Sequence, residues 1–242
     1  MKNILLTGAS RGLGLEICKT LLERGFNVYT ANRKKTEGLS ELLSKYPNSL
    51  YFKEVDFSDP EEARKQIFSP DFIPNKIALS GFVNNAATAY DDIITNINLS
   101  SLERMFAVNT FAPMLLTKYA IRNMIYNKIS GSIVHISSIS VHTGYKGLAM
   151  YAASKGAIEA FSKNTAREWG ERKVRSNCIV AGFMETDMSA SLSDDQKKRI
   201  YNRTSLKSPT TLSSVANTVH FLLSEQSASI TGQNYHVDAG TI

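Results

Sequence analysis

The stretch Thr7-Gly8-Ala9-Ser10-Arg11-Gly12-Leu13-Gly14 decides how this chain folds. In front of it, residues 4–7 form an apolar run of strand length. Behind it, Leu13, Ile17, Cys18, Leu21 and Leu22 recur at helical spacing, and Gly25 supplies a stop at C′. A strand that turns through glycines into a helix gathers backbone N–H groups and a helix N-terminus, which together cradle a pyrophosphate. Glycines at 8, 12 and 14 give G-x-x-x-G-x-G rather than the commoner G-x-G-x-x-G. As the first turn of an α/β chain, it reads as a dinucleotide site built from Gly8, Ser10, Arg11, Gly12, Leu13 and Gly14.

Outward from this turn the same alternation continues. Strand-length apolar runs fall at 28–31, 50–55, 79–83, 132–136, 175–180 and 233–237, with helix-period segments between them. Ser58-Asp59-Pro60-Glu61-Glu62 is a helix start with proline at N1. Residues 102–126 read as one long helix kinked at Pro113, residues 151–170 as another, and 212–223 as the last. The polar, proline-ended stretch 183–208 reads as a lid region over substrate. The pattern predicts one domain over 1–242: an α/β, doubly wound Rossmann-type three-layer sandwich with a seven-stranded parallel sheet.

Composition narrows the function. Of 242 residues, 43% are hydrophobic and 21% charged, ordinary for a soluble protein with a sizeable core. A net charge of +6 favours anionic partners, phosphorylated cofactors among them. No arginine-rich tail or aromatic-interleaved basic run supports nucleic acid. Cys18 and Cys178, each in an apolar segment, read as core thiols, and two cysteines cannot make a disulfide framework. The chain opens on a strand rather than a signal peptide, and no apolar run approaches the roughly 18 residues of a membrane span. A cytoplasmic, soluble protein without membrane attachment is expected.

The end of the second strand selects the cofactor. A carboxylate there would accept from a ribose 2′-hydroxyl, whereas a basic residue would meet a 2′-phosphate. This strand ends in Ala31-Asn32-Arg33-Lys34-Lys35, with no acid before Glu37. With Arg11 in the glycine turn, Asn32 and Arg33 favour NADP(H) over NAD(H). Asp56 and Phe57 close strand three, where a carboxylate would accept from the adenine amino group; Asn85 and Ala86 close strand four beside the adenine ribose.

Tyr151 and Lys155 stand at i and i+4, on one face of a helix. A free tyrosine ionises near 10, too high for a base at neutral pH, and an adjacent ammonium would favour the phenolate. Ser137 and Ser138 lie fourteen and thirteen residues upstream.

Taken in order, Thr7-Gly8 with Gly12 and Gly14, Asp56, Asn84-Asn85-Ala86, Asn109, Ser138, Tyr151, Lys155, the run from Gly182 to Thr186 and the closing Ile230-Thr231-Gly232-Gln233 resemble the short-chain dehydrogenase/reductase family over nearly the whole chain. The segments 182–188 and 235–240 look closest to its 3-oxoacyl-(acyl-carrier-protein) reductase branch. The resemblance implies a catalytic tetrad of Asn109, Ser138, Tyr151 and Lys155, with no metal. Ser138 would donate to the substrate oxygen, and Asn109 would hold a helix bend and a proton-relaying water. Lys155 would also bind the nicotinamide ribose, and Gly182, Met184 and Thr186 would contact the nicotinamide end, Thr186 holding the carboxamide. Two positions depart from the family pattern, Ala87 for glycine and Ala181 for proline.

Substrate contacts are expected from 141–148 and 183–208, with Val141, Tyr145, Leu148, Met150, Phe183, Met184 and Met188 as an apolar lining. His142 reads as a loop residue rather than a second base. The branch also implies a homotetramer and a basic patch near the active-site entrance for an acidic acyl carrier protein. Arg172 matches one position of that patch; Ile129, beside Lys128, holds the other. The expected reaction interconverts a ketone and a secondary alcohol with NADP(H). Its substrate would be a 3-oxoacyl thioester, or else a sugar, polyol or other secondary alcohol. A cofactor-binding protein that has lost catalysis is the competing class; it would leave Tyr151 or Lys155 free to drift, and both are present.

Overall fold

The computed structural model describes residues 2–186 and 193–242. Seven parallel strands form one sheet in the order β3-β2-β1-β4-β5-β6-β7. They are β1 (Asn3–Thr7), β2 (Asn27–Asn32), β3 (Leu50–Glu54), β4 (Leu79–Asn84), β5 (Gly131–Ser138), β6 (Val174–Ala181) and β7 (Asn234–Val237). The order reverses direction at β1, which pairs with β2 on one side and β4 on the other. In such sheets the crevice at that reversal, beyond the carboxyl ends of the strands, is where ligands bind.

Both faces of the sheet are covered, which is why its strands read as continuous apolar runs. Helices α1 (Gly12–Glu23), α2 (Glu37–Lys45) and α9 (Leu212–Leu223) supply Ile17, Leu21, Leu39, Val215 and Val219 to one core. Helices α3 (Pro60–Ile67) and α5 (Ala112–Tyr126) supply Ile67, Leu116 and Ala120 to the other. Asp59 caps α3 by accepting from the Glu62 N–H at 3.0 Å, with Pro60 in the first turn as expected.

Three expectations change. The stretch read as one helix is α4 (Leu99–Phe106), a π-helical segment Ala107–Phe111 and α5. Pro113 has no N–H to continue the ladder, and the wider π turn takes up the break just before it. The stretch 183–208 holds a helix, α8 (Asp194–Tyr201), with a capping box between Ser193 and Gln196. Between β5 and the helix that carries Tyr151 lies a short helix, α6 (Ser140–Thr143). Met188 falls outside the described residues. Among the described residues no helix is long and apolar enough to cross a membrane.

His135 on β5 is fully buried, edge-on to Phe82 and Phe161 at 6.4 and 6.1 Å between ring centroids. Its Nδ1 meets Asn84 Nδ2 at 3.3 Å. Burial, with the Lys155 charge nearby, pushes its pKa down to about 3 from an ordinary 6.5. The folded chain therefore keeps this imidazole neutral where the unfolded chain protonates it. Stability from this group is present above pH 6.5 and is lost as pH falls toward 3. Between pH 7 and 5 the native protein is expected to lose about 2 kcal/mol more than His135→Gln in urea unfolding. Equal losses would refute this account of His135.

Candidate active site

The glycine turn is shaped by backbone crowding. Gly8 has φ +77°, and a Cβ on it would stand 2.8 Å from Ala86 Cα. A Cβ on Gly14 would stand 1.9 Å from the Gly8 carbonyl oxygen, closer than any real contact allows. Asn85 clasps this turn from β4: its Nδ2 donates to the Thr7 and Gly8 carbonyls at 3.1 and 2.9 Å. The Thr7 hydroxyl accepts from the N–H of Asn85 and of Ala86 at 3.2 and 3.1 Å. Ser10 contributes its carbonyl to the Thr36 hydroxyl, and Leu13 is a core residue that offers the site only its backbone.

Asn32 differs from expectation. Its side chain is turned into the protein, where Oδ1 accepts from the Ala9 N–H at 2.6 Å and from the Thr30 hydroxyl at 3.0 Å. It supports the turn and does not stand beside Arg33 at the surface. Its Nδ2 is buried with no partner among the described residues, an orphaned donor at the end of β2. Arg11 and Arg33 are both exposed at the rim. Asp56 accepts from the Ser58 N–H at 2.9 Å; that bond, with Arg33 and Arg104 nearby, holds its carboxyl below the usual range against partial burial. Phe57 is buried in the core, so only its backbone is available to a ligand. The tight turn and the unpaired amide fit a dinucleotide.

On the other side of β4, helix α7 (Ala149–Trp169) carries Tyr151 and Lys155. The Lys155 Nζ lies 5.8 Å from the Tyr151 ring centroid and donates to the Ile136 carbonyl of β5 at 2.8 Å. Asn109 sits in the π-helical segment and is buried. Its amide donates to the Thr88 carbonyl at 2.8 Å and to Ser154 Oγ at 3.1 Å, while its Oδ1 accepts from the Thr88 N–H at 2.9 Å. Ser154 in turn donates to the Tyr151 carbonyl at 2.8 Å, so Asn109 is tied to the turn between tyrosine and lysine. Neighbouring residues on a strand face opposite ways. Ser137 accordingly points inward and donates to the buried Glu159 carboxylate, whereas Ser138 Oγ accepts from the Ser140 N–H at 3.2 Å.

The protonation states differ from expectation. Burial, then the Asp91 carboxylate, pushes the Tyr151 phenol up to about 12; burial brings the Lys155 ammonium down to about 8. Each charged form is penalised by the same dry surroundings, so the lysine does not pull the phenol down in the chain alone.

Past β6, Gly182 is wedged where a Cβ would meet Thr210 Oγ1 at 2.3 Å and Asp238 Cα at 2.5 Å. Thr186 comes close to the glycine turn, 3.4 Å from where a Gly12 Cβ would stand, and Met184 is partly buried against the core that α1, α2 and α9 share. Of these three, Thr186 is the one that reaches the glycine turn.

A cavity of about 480 Å³ opens beside α7, bounded by Ala149 and Ala152 on either side of Tyr151 in sequence. Of the expected lining, Tyr145 and Leu148 are present. Val141 instead lies against Gly156, Met150 is buried, and Phe183 and Met184 are elsewhere. The opposite wall is Asp92, Ile93, Ile94 and Thr95, joined to the first by the Asp92 N–H donating to the Gly147 carbonyl at 3.0 Å. Nothing in the sequence marked that wall except two adjacent isoleucines in a polar loop.

The expected carrier patch is also moved. Lys128, Ile129 and Arg172 do meet, around a separate cavity of about 390 Å³. They stand where β5 and β6 begin, and Ser138 stands where β5 ends. Eight residues of strand, roughly 25 Å, separate them, so Arg172 does not border this chain's own entrance.

A glycine turn at the reversal point of a parallel sheet, facing a tyrosine–lysine pair, defines a dinucleotide-dependent oxidoreductase. A family model described as Enoyl-(Acyl carrier protein) reductase matches residues 8–241. The chain is 34% identical to L-xylulose reductase of Caenorhabditis elegans over 241 residues, covering 99% of this chain and 95% of that protein. It is 32% identical to 3-oxoacyl-(acyl-carrier-protein) reductase of Chlamydia pneumoniae over 241 residues, covering 99% and 96%. Its fold matches that of 4-hydroxyisoleucine dehydrogenase complexed with NADH, with a TM-score of 0.92 at 25% identity, over 100% of this chain and 98% of that one. The chain belongs to the short-chain dehydrogenase/reductase family of NAD(P)-dependent oxidoreductases.

Proposed function

We propose that this protein is a cytoplasmic, NADPH-dependent ketoreductase, one catalytic domain that assembles as a homotetramer and converts a 3-oxoacyl thioester to its 3-hydroxy form. The observation that carries the reading is the Tyr151–Lys155 pair of α7, with Lys155 Nζ 5.8 Å from the Tyr151 ring centroid and bonded to the Ile136 carbonyl near the end of β5; Tyr151 rests as a neutral phenol, the proton donor of the pair. A proton donor is what reduction needs, since hydride arriving at a carbonyl carbon leaves an alkoxide that must be protonated.

NADPH, when bound, supplies the hydride. Gly8, Gly12 and Gly14 would leave room for its pyrophosphate, the buried Asn32 would support the turn through the Ala9 N–H, and Arg11 and Arg33, exposed at the rim, would bring positive charge for a 2′-phosphate. Thr186 and Gly182 would border its nicotinamide end. Ser138 donates its hydroxyl hydrogen to the carbonyl oxygen and holds it toward Tyr151. The Tyr151 phenol then gives its proton to that oxygen, completing the alcohol. Lys155 places a positive charge behind the phenol as it becomes phenolate, and Asn109 fixes the turn of α7 through Ser154. Ser137 is not the serine of this step, because its hydrogen is committed to Glu159.

The apolar cavity walls at Ile93, Ile94 and Leu148 favour an acyl chain. A sugar or polyol is the second reading, supported by the L-xylulose reductase likeness and by Asp92 and Lys146 in the lining of the same cavity. Initial rates of cofactor oxidation with acetoacetyl thioesters, both carrier-bound and free, against ketoses separate the two. NADPH is expected to give a kcat/KM at least about tenfold above NADH, worth about 1.4 kcal/mol of phosphate recognition. A preference for NADH would overturn the assignment of Arg11 and Arg33.

A further inference from the structure

Tyr151, Lys155 and Glu159 are spaced four apart and share one face of α7. Glu159 has no part in the proton transfer above, yet its side chain is only 8% exposed and it collects donors from three other elements. The Ser137 hydroxyl donates to Oε1 from the end of β5. His142 of α6 places Nε2 at 3.2 and 3.1 Å from the two carboxylate oxygens, and Asn234 of β7 donates to Oε2 at 2.6 Å. A buried carboxylate is costly unless it is fully hydrogen-bonded, and once so bonded it locks its partners in place. His142 is flanked on its other side by His236, with ring centroids 5.1 Å apart; His236 Nδ1 lies 3.9 Å from Asp238 Oδ2.

What Glu159 holds is the segment that aims Ser138. The first N–H of α6, on Ser140, donates to Ser138 Oγ at 3.2 Å. Two residues on, His142 is anchored to Glu159, and Val141 between them rests on Gly156 of α7. Ser137, anchored to the same carboxylate, sets the rotation of the strand end from the other side. We propose that Glu159 is a positioning residue: it fixes α6 and the end of β5 on α7, and so sets the direction of the Ser138 hydroxyl relative to the Tyr151 phenol. The proposal rests on the reading of Ser138 and Tyr151 as the groups that act on the substrate oxygen.

Glu159→Gln keeps the volume but turns an N–H₂ toward donors, so the clasp cannot close. In NADPH-dependent ketone reduction its kcat is expected to fall roughly ten- to a hundredfold, the scale of a misplaced catalytic group, with KM and the NADPH Kd within about twofold. Ser137→Ala removes one donor and is expected to lower kcat roughly threefold in the same way. Because both act through one carboxylate, the double variant should be no slower than Glu159→Gln alone. A folded Glu159→Gln with kcat within twofold of wild type overturns the proposal, as do losses that simply multiply. If Glu159→Gln does not fold, Ser137→Ala decides: lowered kcat at unchanged KM supports the clasp, while unchanged kcat with a lowered Tm overturns it. A wild type inactive on every ketone would fell the ketoreductase reading and this proposal with it. An active wild type with an equally active glutamine variant would fell this proposal alone.

Discussion

Tyr151→Phe is expected to lower kcat for ketone reduction by about a thousandfold or more, the upper part of the range for a lost general acid. The substitution removes one hydroxyl and leaves a ring of the same shape on α7. Lys155 keeps its bond to the Ile136 carbonyl, and Asn109 keeps its bonds to Thr88 and Ser154, since none of them runs through the phenol oxygen. The NADPH Kd should therefore stay within about twofold of wild type, because no ground-state contact of the glycine turn is touched. Fluorescence titration with NADPH, alongside steady-state rates, separates the two effects. Retained turnover would remove Tyr151 from its role. A parallel loss of cofactor binding would place the phenol in the binding site instead.

Gly14→Ala is expected to act on the other half of the site. The added Cβ would lie 1.9 Å from the Gly8 carbonyl oxygen and 2.5 Å from Asn85 Nδ2. The first is backbone that cannot swing aside, and the second is the amide that clasps the turn. Both must move, so the amides at the N-terminus of α1 lose their alignment. Overpacking of this kind costs about 1–3 kcal/mol, or roughly ten- to a hundredfold in cofactor Kd. A modest fall in Tm should accompany it, since the turn also packs β1 against β4. A Kd unchanged in a folded Gly14→Ala would mean that the ligand does not sit on this turn.

Locally encoded features were legible in the sequence. The glycine turn, the seven strands and the helical phase of Tyr151 and Lys155 each depend on neighbours within a few residues, and each lies where its pattern placed it. Helix α8 was equally local: Ser193 and Gln196 spell a capping box, but the polar residues between and after them masked a helix with no buried face. Features set by distant contacts were not legible. The inward turn of Asn32 depends on the Ala9 N–H across the sheet, and the cavity wall at Ile93 and Ile94 depends on the Gly147 carbonyl. The raised Tyr151 and lowered Lys155 follow from burial, which spacing alone does not report. His142 looked like a loop residue for the same reason, because the carboxylate that holds it is seventeen residues away on another helix.

Hydride from the nicotinamide and a proton from Tyr151 are expected to meet on one carbonyl. The most direct test is to incubate wild type with NADPH carrying deuterium at both positions of nicotinamide C4, together with an acetoacetyl thioester, and to locate the label. The account predicts deuterium on the carbinol carbon of a 3-hydroxybutyryl product, formed by wild type and not by Tyr151→Phe. A product without deuterium at that carbon, or labelled product formed equally fast by both proteins, would contradict it.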